Sequence, residues 1–148
     1  MMANLQTMTA NPKMLSTVAI VDDDLDISNA LGMWLNLHAL HSAPHHSGES
    51  LLSSIQQEDG HLITCIDKGI PVRSQLVGAV IDLNLPGVSG IELARALRTL
   101  DPDLPITIIT ALSADELAHF GNLPEGIRCL EKPFDLNELE NALFPLFQ

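Results

Sequence analysis

The chain has 148 residues, 46% of them hydrophobic but only 3% aromatic, and a formal net charge of -12 at pH 7. That length suits one domain with an aliphatic core, and the acidity argues against binding nucleic acid or anionic membrane surfaces, which are held through Lys and Arg. No apolar stretch approaches the roughly 18 residues that cross a bilayer. Residues 1–15 hold one basic residue and no apolar block, and read as a flexible tail before a domain spanning 16–148. Cys65 and Cys129 lie too far apart for a metal or redox motif. Both sit in apolar runs and read as buried, reduced thiols, which fits the cytoplasm.

Strand and helix signals alternate from residue 17 onward, as expected of successive βα units. Thr17 to Val21 reads as a buried strand, followed by a helix with Ile27, Leu31, Trp34 and Leu35 on one face. A weaker strand covers Ala39 to Ala43 and ends at Pro44, and Leu51, Leu52 and Ile55 mark a helix closing near Gly60. An extra segment, about residues 61–75, interrupts the rhythm. Its apolar run Leu62 to Ile66, followed by Asp67-Lys68-Gly69, favours a hairpin in which Pro71 confines one arm to an edge. An ordered surface loop or a partner-binding surface are the other readings of it.

The next strand is Leu76 to Ile81. Ser89 with Glu92 forms a capping-box pair for a helix carrying Ile91, Ala94 and Leu97. Strand Ile106 to Thr110 follows, then a short helix capped by Ser113 and Glu116 and reaching Phe120. Ile127 to Leu130 is the last strand. Asp135 with Glu138 opens the last helix, whose Leu139, Leu143 and Leu146 should face the sheet.

Three strand ends carry the chemistry. Val18 to Val21 runs into Asp22-Asp23-Asp24, Val80-Ile81 into Asp82-Leu83-Asn84-Leu85-Pro86-Gly87, and the last strand into Lys132-Pro133. Ligands of parallel sheets bind beyond such carboxyl ends. Several carboxylates and one ammonium there suit a magnesium ion with a phosphoryl group. Singly, each residue has a plainer reading: the Asp run as a helix N-terminus, Thr110 as a strand residue, Lys132 as a loop charge.

Together, Asp22 and Asp23, Asp82 in D-L-N-L-P-G, Thr110 before Ala111, and Lys132 before Pro133 resemble the receiver domain of two-component response regulators, over about residues 16–147. The resemblance implies a doubly wound α/β fold of CheY-like type. Five parallel strands would run in order 2-1-3-4-5, with the insertion before the third. It implies Asp82 as phosphate acceptor, Thr110 and Lys132 as partners of the phosphoryl oxygens, and Mg2+ held by Asp22, Asp23, Asp82 and the backbone carbonyl of Asn84. The expected partners are a histidine kinase or phosphotransfer protein upstream, and a protein target or an output domain of a longer chain downstream. Dimerisation through the last helix stays open. The chemistry would be self-phosphotransfer and autodephosphorylation, not enzymatic turnover.

Two features depart from the family. Cys129 occupies the usual aromatic position three residues before the lysine, so switching is expected through the loop after Thr110 and the face near His119. Leu112 is apolar where polar residues can assist hydrolysis, which hints at a long-lived phosphoaspartate. A rival reading is a haloacid-dehalogenase-type phosphatase, but that wants an Asp where Asn84 stands. Another is a pseudo-receiver used only for docking. His38, His41, His45 and His46 match neither a helix pair nor a zinc motif.

Overall fold

The computed structural model describes residues 14–120 and 123–143. Five parallel strands, β1 (Leu15–Val21), β2 (His41–His45), β5 (Pro71–Asp82), β6 (Ile106–Thr110) and β7 (Arg128–Glu131), run in the order β2-β1-β5-β6-β7. This is the expected 2-1-3-4-5 arrangement. Two further strands, β3 (Gln56–Glu58) and β4 (His61–Asp67), make seven among the described residues and join antiparallel. The helices are α1 (Leu25–Leu37), α2 (Gly48–Ser54), α3 (Gly90–Leu100), α4 (Ala114–Leu117) with a 3-10 turn over Ala118–Phe120, and α5 (Leu136–Ala142).

Alternation along the strands divides the core into two layers. Ala19, Val21, Ile81, Ile106 and Ile108 pack with Leu51 of α2 and Leu93 and Leu97 of α3. Val18, Ile20, Val80 and Ile109 face the other way, toward Leu31, Trp34 and Leu35 of α1, Leu139 of α5 and Leu143 beyond it. Strands buried on both faces need apolar residues at every position, which is why their sequences are continuous Val/Ile runs. The three capping boxes form as their spacing predicts: Ser89 with Glu92, Ser113 with Glu116, and Asp135 with Glu138 each exchange hydrogen bonds.

The insertion alters the sheet. β5 pairs with β1 along one edge, from Ser74 to Ile81. Its other edge is shared, with β4 antiparallel along Pro71 to Gln75 and β6 parallel along Ala79 to Asp82. The hairpin therefore sits toward the end of β5 away from Asp82, its nearest pairing at Gln75 lying roughly 23 Å from Asp82 along a strand rising about 3.3 Å per residue.

Several expectations are corrected. The second helix ends at Ser54, not near Gly60, because residues 56–58 turn back as β3 to pair with β4. Asp59 and Gly60 both have positive φ (51° and 80°), the signature of a two-residue hairpin turn. The hairpin arm led by Pro71 is not an edge strand. It is the first half of β5, and Pro71, the first residue, pairs only with Asp67 of β4. The second strand is His41–His45 and includes Pro44, tolerated because β2 is an edge whose outer side needs no amide. β1 starts at Leu15, two residues early, and β7 is shifted by one residue to Arg128–Glu131. Cys65 is exposed rather than buried, since it alternates with the inward-facing Thr64 and Ile66. Leu146 lies outside the described residues.

Candidate functional site

Each functional side chain stands at the carboxyl end of a parallel strand. Asp22 follows β1, and its amide donates to the His45 carbonyl at 3.1 Å, continuing the ladder one step. Its Oδ1 accepts from the Asp24 amide at 2.9 Å. Asp24 in turn caps α1, accepting from the amides of Asp26 at 2.9 Å and Ile27 at 3.3 Å. The acidic run thus divides its work: Asp24 serves the helix, while Asp22 is left facing the strand ends.

Asp82 closes β5, and its Oδ1 accepts from the Asn84 amide at 3.3 Å. Its backbone is fixed from behind by α3. A Cβ on Gly90 would lie 2.5 Å from the Asp82 carbonyl oxygen and 2.8 Å from the Leu83 Cα, so only glycine lets the helix start that close. Thr110 ends β6, and its hydroxyl oxygen accepts from the Leu112 amide at 3.0 Å. The Lys132 amide donates to the Thr110 carbonyl at 2.6 Å, bringing the β7 end alongside. The Lys132–Pro133 peptide is cis.

These placements gather charge. Oxygens from the carboxylates of Asp22, Asp23 and Asp82 lie within 4.8 Å of one another. Asp22 and Asp82 are 2% and 8% exposed, whereas Asp23 is open to solvent. The Lys132 ammonium stands 3.6 Å from Asp22 Oδ2 and 3.7 Å from Asp82 Oδ2. Burial, then the negative charge of Asp22, pushes the Asp82 carboxyl above its ordinary range, against the opposing pull of Lys132 and the Asn84 amide.

The donor set fits a hard divalent cation. Asp22 Oδ2 is buried and accepts no hydrogen bond among the described residues, and the one Lys132 ammonium 3.6 Å away faces three gathered carboxylates that repel one another. Mg2+ is typically held by one or two carboxylates while keeping several waters. Among the described residues this is the one group of three or more such ligands, so His38, His41, His45 and His46 do not assemble a comparable centre. A separate cleft of about 550 Å3 beside β7 and α5, lined by Arg128, Cys129 and Glu138 among others, contains none of the strand-end residues.

All the sequence-derived side chains except Thr110 are tied directly by these distances, and Thr110 joins through its backbone bond to Lys132. Asn84 contributes its amide to Asp82. The sequence reading missed Gly90, although its position directly after the capping Ser89 and eight residues past Asp82 was visible. Cys129 is half-buried against the α3-side core, and burial pushes its thiol pKa up.

The chain belongs to the response regulator receiver domain family, whose model matches residues 18–144. It is 28% identical over 129 residues to the response regulator receiver protein CpdR of Brucella abortus, covering 87% of this chain and 94% of that one. It is 31% identical over 96 residues to the transcriptional regulatory protein TctD of Salmonella typhimurium, covering 62% of this chain but 43% of TctD. The chain spans under half the length of that and several other regulators it matches. A sensor protein from Polaromonas sp. JS666 has a similar structure, with TM-score 0.67 and 27% identity over 92% of this chain and 97% of that one. Receivers as a class are phosphorylated on aspartate and act as signalling modules. No helix among the described residues is long and apolar enough to cross a membrane.

Proposed function

We propose that this domain is a phosphorylation-switched receiver that accepts a phosphoryl group on Asp82 with Mg2+ held by Asp22, Asp23, Asp82 and the Asn84 carbonyl. The observation that carries this reading is the convergence of three carboxylates from two strand ends, with the Lys132 ammonium 3.6–3.7 Å from two of them. Mg2+, when bound, supplies charge neutralisation for a phosphoryl group entering a site of three negative side chains. The protein's own part is placement.

A carboxylate oxygen of Asp82 forms the new O–P bond as the P–N bond of a partner's phosphohistidine breaks, and the leaving imidazole nitrogen takes the electron pair and a proton. The Lys132 ammonium meets one phosphoryl oxygen as a point charge. The Thr110 hydroxyl donates to another. Because the Thr110 oxygen already accepts from the Leu112 amide, that hydroxyl couples the phosphoryl group to the loop after β6. Water later cleaves the acyl phosphate to the carboxylate and inorganic phosphate. The output is a change in protein–protein binding, exerted on a separate partner or on an output domain of a longer chain. A cytoplasmic setting agrees with the free thiols Cys65 and Cys129.

Incubation with acetyl phosphate and Mg2+ should add one phosphoryl group by mass spectrometry, and beryllofluoride should shift amides of residues 110–113. Asp82→Asn should abolish both. Unchanged spectra and mass in the unsubstituted protein would overturn the reading.

A further inference from the structure

The loop after Asp82 is held by a helix outside the strand-end site. Glu49 lies in the first turn of α2, and its Oε2 accepts from the Val88 amide at 3.1 Å, 39 residues further along the chain. A glycine admits this contact. Gly87 has φ +74°, and a Cβ there would run into the Glu49 carboxylate. A Cβ on Gly48 would meet the Val88 side chain at 3.4 Å and Leu93 at 3.5 Å. The start of α2 therefore lies against the far end of the loop through both a polar and an apolar contact.

The near end of that loop is at the acceptor, where the Asn84 amide donates to Asp82 Oδ1. Ser89 then opens α3, whose Gly90 amide donates to the Leu83 carbonyl at 3.1 Å. Residues 84–88 are thus pinned at Asp82, at α3 and, through Glu49, at α2. Without the third point, a segment with a left-handed glycine and few buried side chains gains freedom.

We infer that Glu49 is a positioning residue for the phosphorylation site, holding the Val88 amide so that the Asn84 segment keeps its path beside Asp82. This rests on the receiver reading above. Glu49 touches no reacting atom. Its acceptor oxygen is what matters, not its charge, because the group it holds is the neutral Val88 amide. Glutamine, which keeps a carbonyl oxygen at the same reach, should substitute for it.

The test compares the full chain with Glu49→Ala and Glu49→Gln, using amide hydrogen exchange and titration with MgCl2. In Glu49→Ala the Val88 amide should exchange faster and the Mg2+ dissociation constant should rise, each by about 3- to 10-fold, the range of one modest hydrogen bond. Glu49→Gln should stay within about twofold of the unsubstituted chain, since an acceptor is retained. If Glu49→Ala does not fold, Glu49→Asp, shorter by one methylene, should show the same loosening. Glu49→Ala binding Mg2+ as tightly as the parent overturns the inference while leaving the receiver intact. So does Glu49→Gln losing as much as alanine, which would assign the effect to charge. A parent chain that neither binds Mg2+ nor takes phosphate from acetyl phosphate overturns the receiver reading, and this inference with it.

Discussion

The amide of Lys132 donates to the carbonyl of Thr110 at 2.6 Å, so the cation and the hydroxyl of the site share one backbone rung between β7 and β6. A displacement of either strand end moves both groups. The Thr110 hydroxyl is the separable part, since it reaches the loop through the Leu112 amide. Thr110→Ala should cost about 1 kcal/mol, the worth of one hydrogen bond. It should also remove most of the Leu112 amide shift caused by beryllofluoride while sparing that of Lys132. A full Leu112 response in the variant would assign the relay to another group.

Removing the cation leaves Asp22 and Asp82 facing each other with their mutual repulsion unopposed. Lys132→Ala should lower the stability of the metal-free chain by about 1–3 kcal/mol at neutral pH, less than for a fully buried pair because the lysine is partly exposed. Saturating Mg2+ should recover much of this, since a divalent ion takes over the neutralisation. Urea denaturation with and without Mg2+ measures both, and equal losses in the two conditions would refute the assignment.

The raised Asp82 carboxyl has a defined consequence for stability against pH. A group whose pKa is higher in the folded state favours the fold when protonated. In metal-free protein its contribution is fully present below the ordinary carboxylate range. It is lost as pH climbs through that range to the raised value, and is flat above. Asp82→Asn lacks this loss and should melt at a higher temperature than the unsubstituted metal-free chain at neutral pH. The difference should vanish toward about pH 3, where both side chains are neutral. Calorimetry across this range checks the sign.

Gly90→Ala places a methyl group 2.5 Å from the Asp82 carbonyl oxygen and 2.8 Å from the Leu83 Cα, both backbone atoms that cannot rotate away. The variant should lose about 2–4 kcal/mol, the upper range for overpacking. It should also accept phosphate more slowly, because α3 is forced off the segment that holds the acceptor. Stability and phosphorylation rate at unsubstituted levels would show that the helix start has slack.

The two thiols should differ in reactivity. Cys65 is exposed, whereas Cys129 is half-buried with its pKa pushed up by burial. Iodoacetamide at neutral pH should modify Cys65 faster by about tenfold or more, since Cys65 is accessible whereas burial both shields Cys129 and keeps it protonated. Peptide mapping over time would reveal equal rates if Cys129 were more open than its packing indicates.

What the sequence disclosed was local or periodic. The capping boxes at Ser89, Ser113 and Asp135 depend on residues three apart, and each forms as spaced. The Val/Ile runs mark strands buried on both faces, and their acidic or basic ends mark where a ligand would sit. What stayed hidden depends on distant pairing. Gln56 to Glu58 have no strand composition and become β3 because β4 lies alongside, although Asp59-Gly60 was a hairpin signal read as a helix end. Cys65 was assigned to the interior from an apolar run, when strand alternation would have turned it outward. The contact of Glu49 with Val88 joins segments with no common motif, and only the packing of α2 beside the loop reveals it.

The division of one side of β5 between β4 and β6 has a protective effect. A strand this long, serving a partner as short as β6, would otherwise display several unsatisfied peptide groups below it, and such bare ladders recruit foreign chains. The inserted hairpin covers them and moves the margin outward to β4, whose residues His61 to Ile63 are covered in turn by the three-residue β3, ending in Glu58, which pairs with Arg73. The insertion thereby supplies a guard against sheet-to-sheet aggregation at the end of the molecule opposite the acidic cluster.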